Sequence, residues 1–345
     1  MVMIDVFRSD PFSTVQLTRV VERTPYQPDM LGQMGIFEPV PSRTLDVAVE
    51  DRDGVLTIIP FSEVGAPPTE RTNEKRNIRT FRVPRLATAD TITAVEIAGV
   101  RDFGEETALV QMQQEVARRL SGPTGLTRNI EYTWERHRLG AIQGKVLDAD
   151  NTEKFNWFTT FGVSEPAEIA FDLANTSPAR KLRVICNEVT RGMRRAAKGA
   201  FTNRTRIVGL CGDEFWDKLT THPDVEKTYL NWLAAQELRQ GTAWQSLSFG
   251  DIDWVNYRGS DDNSTIAIAT DKVRFFPVNA PGVFQVAHAP AEFMPWVNTL
   301  GKPMYVIPIF DKDRGAWWKM EVYSYPLHIC TRPEVLYRGK AGAPG

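Results

Sequence analysis

The stretch from Val64 to Leu86, V-G-A-P-P-T-E-R-T-N-E-K-R-N-I-R-T-F-R-V-P-R-L, is poorly suited to the core of its own chain. It carries six bases, Arg71, Lys75, Arg76, Arg79, Arg82 and Arg85, against only Glu70 and Glu74. Ionised side chains are costly to bury unless they are paired. Strand-like aliphatic runs flank the stretch on both sides. It therefore reads as a long charged excursion from a sheet, with its partners elsewhere.

The flanks fit that picture. Leu45–Glu50 alternates at period two, Asp51–Gly54 (D-R-D-G) supplies a turn, and Val55–Phe61 reads as the return strand of a hairpin. Thr80–Pro84 can be strand only at an edge, because Pro84 has no N–H for a ladder. Upstream, Ser13 can cap a short helix with Val15, Leu17, Val20 and Val21 as its apolar positions. Pro25, Pro28, Gly32, Gly35, Pro39 and Pro41 then punctuate the chain, so residues 1–43 read as an extended arm.

Helices are expected next. Glu105 and Glu106 suit a first helical turn, and Leu109, Met112, Val116 and Leu120 mark an apolar face. Ser121–Gly125 interrupts it. A second helix runs through Ile130, Trp134 and Ala141 to about Gly144. Lys145–Asp148 and Phe155–Phe161 read as strands. Pro178–Phe201 gives the clearest helix: Leu182, Ile185, Cys186, Val189, Met193 and Ala197 share one side, and Arg180, Arg183, Arg191, Arg194 and Lys198 lie almost opposite. Arg206–Cys211 reads as a buried strand, followed by helices near Asp213–Leu219 and Asp224–Leu238. Strands return at Trp254–Gly259, Thr265–Ala269, Met304–Phe310 and Trp318–Tyr325. The ending, A-G-A-P-G, reads as frayed. With strands early and late and helices between, the class is α+β.

Composition excludes little but directs the search. The chain has 345 residues, 42% of them hydrophobic, and a formal net charge of −2. No global field draws it to nucleic acid or membrane, so such binding would be local. No apolar run is long enough to span a bilayer. The N-terminus lacks a basic start followed by an apolar stretch and is not read as a signal peptide. Three distant cysteines, Cys186, Cys211 and Cys330, suit a reducing compartment.

Motifs of chemistry are missing. There is no P-loop, no G-x-G-x-x-G and no G-x-S-x-G. The four histidines, His137, His222, His288 and His328, are isolated in sequence, and no His–Cys pair has zinc-site spacing. Asp311–Gly315 fails as a calcium loop and reads as a surface turn. Cys211, at a strand-to-helix turn beside Gly212 and Asp213, is either a thiol activated by a helix N-terminus or a small buried hydrophobe. The stripe from Arg180 to Lys198, with Glu188 its one acid, faces either nucleic-acid phosphates, solvent or a neighbouring subunit. Trp317-Trp318 suits a core or an interface equally. No enzyme activity, cofactor or metal is expected.

The order of elements carries more than any motif. Arg138–Val146 (R-L-G-A-I-Q-G-K-V) resembles the end of a long helix leading into a strand in the lambda-like major capsid protein E family of tailed phages. Phe249-Gly250 with Trp254–Gly259 resembles that family's central strand pair. Phe276-Pro277, Phe284 and Ala289-Pro290-Ala291 resemble its glycine- and proline-marked loop. Glu321-Val322, Pro326-Leu327 and Arg332-Pro333-Glu334 resemble its last strand and tail.

The resemblance spans nearly the whole chain and implies the capsid fold first described for phage Hong Kong 97. Residues 1–43 would be the N-terminal arm and 44–98 an extended loop crossing a neighbouring subunit. Residues 99–170 and 301–335 would form a peripheral domain with a long helix, split at Ser121–Gly125. Residues 171–300 would be the axial domain and 336–345 a tail. The implied role is a head protein that assembles into pentamers and hexamers of an icosahedral shell, in a virion built in a bacterial cytoplasm. Implied partners are further copies, a separate scaffold or protease, a portal, a decoration protein and packaged double-stranded DNA, with no membrane. The bases Arg71, Lys75, Arg76, Arg79 and Arg82 would meet acids of a neighbouring subunit. The alternative is a nucleic-acid-binding protein that uses the Arg180–Lys198 face.

Overall fold

The computed structural model describes residues 26–53, 75–98, 112–175, 180–231, 246–262 and 264–343. The expected helix after Ser13, the strand Val55–Phe61, Arg71 and the helical turn at Glu105-Glu106 lie outside the described residues. Helix α1 (Met30–Gln33) and strand β1 (Glu38–Pro41) come first. They pack onto the body instead of extending from it: Leu31 is 1% exposed and β1 pairs in parallel with a strand 247 residues later. Pro39 and Pro41 are tolerated because β1 is an edge strand.

β2 (Asp46–Asp53) and β3 (Lys75–Arg82) form a two-stranded antiparallel ribbon. Asp51–Asp53, expected as a turn, continue the strand, and the partner of β2 is Lys75–Arg82. The chain leaves the ribbon at Pro84, enters β4 (Leu86–Thr93) and ends in one helical turn, α2 (Ala94–Ile97), closed by a Thr93–Glu96 capping box.

Two helices follow, α3 (Met112–Ser121) and α4 (Leu126–Ile142). The break between them falls where glycine is required: a β-carbon on Gly122 would stand 2.2 Å from the Arg118 carbonyl oxygen. β5 (Lys145–Leu147) and β6 (Glu153–Asn156) pair with each other. The strand expected over Phe155–Phe161 stops early. Asn156 caps helix α5 (Trp157–Phe161) by accepting from the Phe158 and Thr159 N–H groups, and Trp157 is fully buried.

The next region contains β7 (Ile169–Ala170), α6 (Leu182–Ala196), β8 (Arg206–Cys211), α7 (Asp213–Thr220), α8 (Pro223–Asn231), β9 (Ser246–Phe249), β10 (Ile252–Asn256) and β11 (Lys272–Val278). With β16 (Tyr337–Lys340), the last strand among the described residues, β7 to β11 build a six-stranded sheet in the order β7-β16-β11-β8-β10-β9. The apolar side of α6 closes this unit, where Ile185, Cys186, Val189 and Met193 join Ile207, Trp254 and Phe275 in one core. Thr265–Ala269 is not a strand. Ile266 and Ile268 are buried, which explains the alternation, but the Ile266 N–H donates to the Ser260 hydroxyl and the Thr265 N–H to Asp262.

The remaining strands are β12 (Phe284–His288), β13 (Tyr305–Phe310), β14 (Trp317–Ser324), β15 (Pro326–Cys330) and β16 (Tyr337–Lys340). β1-β12-β15 form one three-stranded sheet and β13-β14-β4 another. The expected loop around Phe276-Pro277 and Phe284 is thus largely strand. Pro277 fits β11 because β16 pairs only Lys272–Phe275. The expected tail is strand too: β16 lies between β7 and β11, and the Ala341 N–H donates to the Asp271 carbonyl.

Candidate assembly surfaces

The ribbon register sorts the predicted bases. Arg82 stands opposite Asp46, Arg79 opposite Val49, Arg76 opposite Arg52 and Lys75 opposite Asp53. Period-two alternation puts Arg79 on the face of Phe81, which is buried with Val47. There the Arg79 guanidinium lies 5.0 Å from the Phe161 ring of its own chain. Arg79 is therefore half-buried and engaged internally, unlike the expectation that it points to a neighbour. Arg82 is exposed, and Ile78 on the same face is 68% exposed. Arg71 lies outside the described residues.

Arg85 roots the ribbon. It reaches Glu292 at 3.1 Å and lies 4.9 Å over the Tyr323 ring. The tip of β13 and β14 sits on the sheet that this root joins. Phe310 is 57% and Trp317 38% exposed, and Phe310 stacks on Trp318 at 5.0 Å. Between them Asp311 accepts from the N–H groups of Asp313, Arg314 and Ala316, which makes Asp311–Gly315 the surface turn that its sequence suggests.

Helix α6 presents Arg183, Arg191 and Arg194 outward, while Arg180 and Lys198 lie just beyond its two ends. Arg183, Arg191, Arg194 and Lys198 are exposed, and Arg180 pairs with Glu188. Val184, 51% exposed, interrupts the stripe. The apolar side of the helix is buried throughout, so amphipathicity alone fixes which face is presented.

Two interior sites bear on chemistry. Cys211 is fully buried at the end of β8, and burial pushes its thiol well above the usual range, the reverse of an activated nucleophile. Cys186 and Cys330 are buried and free as well. Histidines isolated in sequence converge in space: the rings of His137 and His328 are 6.0 Å apart, with His288 on the neighbouring strand. Only the fold brings them together. Among the described residues there is no group of His, Cys, Asp and Glu arranged to hold a metal ion, and no helix long and apolar enough to cross a membrane.

The chain is similar to known shell proteins along its length. It is 27% identical to the major capsid protein of Salmonella phage Felix O1, over 97% of this chain and 97% of that protein. It is 25% identical to the major capsid protein of Pseudomonas phage KPP10, over 96% and 97%. Among solved structures it resembles the capsid of the native GTA particle, with a TM-score of 0.53 at 10% identity over 92% of each chain. It also resembles the capsid of cyanophage P-SCSP1u, with a TM-score of 0.52 at 10% identity over 90% of this chain and 87% of that one. At such identity the likeness is one of fold: the α+β capsid fold of the Hong Kong 97 type. Residues 13–341 match the profile of one protein family, and the chain belongs to it: the phage major capsid protein E family.

Proposed function

We propose that the chain closes a phage shell by laying its β2–β3 ribbon across a neighbouring copy of itself. Its place as a shell-forming subunit follows from family membership over nearly the whole chain, and that membership carries the proposal. An isolated two-stranded ribbon is at best marginally stable in water. Exposed Ile78 in the middle of β3 gives it an apolar spot to cover, and the register that sets Arg76 opposite Arg52 places two like charges across the strand pair. Head-to-tail contacts of this kind close into rings, as pentamers and hexamers require.

In this reading residues 44–84 are the extended loop and β4 its root, because β4 belongs to the sheet of β13 and β14. Arg71, Lys75, Arg76 and Arg82 meet acids of the next subunit. The long helix and that sheet form the peripheral part, and the six-stranded sheet with α6 forms the axial part. A separate scaffold or protease, a portal and a decoration protein are the further partners, and assembly takes place in the host cytoplasm. The exposed Arg183, Arg191 and Arg194 favour non-specific contact between α6 and packaged DNA.

Negative-stain microscopy of the protein, expressed alone and together with its genomic neighbours, tests the shell reading. Uniform closed particles are expected. Only monomers and small oligomers under every condition would overturn it.

A further inference from the structure

Three histidines meet beneath the α1–β1 segment. His137 comes from α4, His288 from β12 and His328 from β15. In the β12–β15 register His328 faces Val286 and His288 faces Pro326, so the two histidines are diagonal neighbours on one sheet face. All three are buried, and the Nδ1 atom of each is buried without a hydrogen-bond partner among the described residues. Phe37, between α1 and β1, packs edge-on to His328 at 5.1 Å and 5.2 Å from Phe284.

We propose that His137, His288 and His328 form an acid-operated latch, which holds the α1–β1 segment on the body while the imidazoles are neutral and releases it when they take up protons.

The surroundings disfavour charge on the three rings. The charge of Arg138 on α4 acts against protonation of His288 and His328, and that of Arg136 on the same helix against protonation of His137. Asp148, after β5, is the one acid that acts in favour of a charged His137. Glu135 is already committed: it accepts from the Leu31 and Gly32 N–H groups, from Arg138 and from the Tyr257 hydroxyl. Asp29 is bound to Arg138. Burial, and then Arg136, push His137 down to about 4, and burial holds His288 and His328 below the usual range.

The sign follows from linkage. A histidine held low in the fold titrates near 6.5 once released. Its contribution to stability is complete above about pH 6.5 and is lost as the pH falls towards its folded value. Glu135 acts oppositely. Burial raises its carboxyl, so the fold binds that proton more readily than the released chain and offsets part of the histidine effect. Protonated Glu135 is also a weaker acceptor for the Leu31 and Gly32 N–H groups, the anchors of α1. The segment that yields is the weakest layer: α1 is one turn, and β1 is a four-residue edge strand.

Hydrogen exchange of the purified protein tests the latch. Between about pH 7.5 and about pH 5, after correction for intrinsic rates, protection at residues 30–41 should fall roughly tenfold per pH unit for each net proton taken up. Amides of β8 should keep theirs. The triple variant His137→Gln, His288→Gln, His328→Gln should show a flat profile at residues 30–41. Equal loss of protection in wild type and variant overturns the latch, as does no selective loss in wild type. If the triple variant does not fold, His288→Gln alone must make the profile at residues 30–41 shallower than in wild type, and an unchanged pH response there overturns the proposal equally. None of these outcomes depends on whether the chain forms shells.

Discussion

Arg76 stands directly opposite Arg52 in the β2–β3 ribbon. Like charges directly opposite destabilise a strand pair, whereas opposite charges contribute roughly 0.2–1 kcal/mol. Arg76→Glu should therefore not weaken the pairing of β2 with β3, while it removes a base from the proposed contact with the neighbouring subunit. Sedimentation velocity should show fewer closed particles, and the unassembled subunit should melt no lower than wild type. Normal particle yield with Arg76→Glu would remove the intersubunit role of this base. Arg79→Glu should behave differently and lower subunit stability, because Arg79 packs over Phe161 of its own chain.

The Arg85–Glu292 pair should set the ribbon's angle more than the subunit's stability. Both side chains are more than two-fifths exposed, so solvent screens the pair and an exposed pair contributes about 0–1 kcal/mol. Packing over Tyr323 adds roughly 0.5–1 kcal/mol. Arg85→Met should cost about 1 kcal/mol in urea unfolding of the subunit and lower the particle yield. The double exchange Arg85→Glu with Glu292→Arg should recover yield in part, since it restores the ion pair but not the stacking on Tyr323. No recovery would mean that the pair does not position the ribbon.

Glu135 ties the α1–β1 segment to α4. Its oxygens accept from Leu31 N–H at 2.9 Å and Gly32 N–H at 3.2 Å, and Arg138 reaches it at 3.2 Å. Glu135→Ala leaves a half-buried guanidinium and two N–H groups without this acceptor and should cost about 3 kcal/mol. Glu135→Gln keeps one carbonyl oxygen and should cost less. Limited proteolysis should cut between residues 26 and 43 faster in the alanine variant than in the glutamine variant. Equal cutting would show that the carboxylate does not anchor the segment.

What could be read before the fold was known followed local spacing. Helix α6 was legible because every third or fourth residue from Leu182 to Ala197 is buried, and β8 because Ile207 to Cys211 is a continuous apolar run. β16 and β12 were not, since each is short and takes its pairing from partners far along the chain. Thr265–Ala269 looked like a strand because alternate residues are buried, but side chains from Ser260 and Asp262 hold its backbone. Turn residues at Asp51–Gly54 suggested a tight hairpin that tertiary pairing overrode. The charge of the ribbon was visible, whereas the register that turns Arg79 inward and sets Arg76 against Arg52 was not. The three histidines were invisible as a group because positions 137, 288 and 328 share no local pattern.

Two glycines with similar backbones should respond differently to alanine. Gly250 (φ +64°) and Asp251 (φ +60°) make the two-residue turn between β9 and β10. A β-carbon on Gly250 would stand 2.5 Å from the Cys186 Cβ on α6. Gly250→Ala therefore meets left-handed strain of about 1–2 kcal/mol plus overpacking of about 1–3 kcal/mol. Gly282 (φ +74°) has nothing within 4 Å of its would-be β-carbon, so Gly282→Ala meets the strain alone. Urea midpoints should separate the two variants, with Gly250→Ala lower. Equal midpoints would mean that α6 shifts away from the turn at no cost.

The outward face of α6 can be assigned by its response to salt. Arg183, Arg191 and Arg194 are exposed, so replacing them with serine should leave the fold intact. If they neutralise phosphates of packaged DNA, wild-type binding to duplex DNA should weaken steeply as salt rises. The slope should flatten by about 0.9 per lost phosphate contact, or close to 3 for the triple variant. Particle yield should not change. If instead the slope is unaltered and yield falls, the same arginines pair with acids of another subunit. Arg180 is a useful control: it is held by Glu188 in its own chain, so Arg180→Ser should change the slope least.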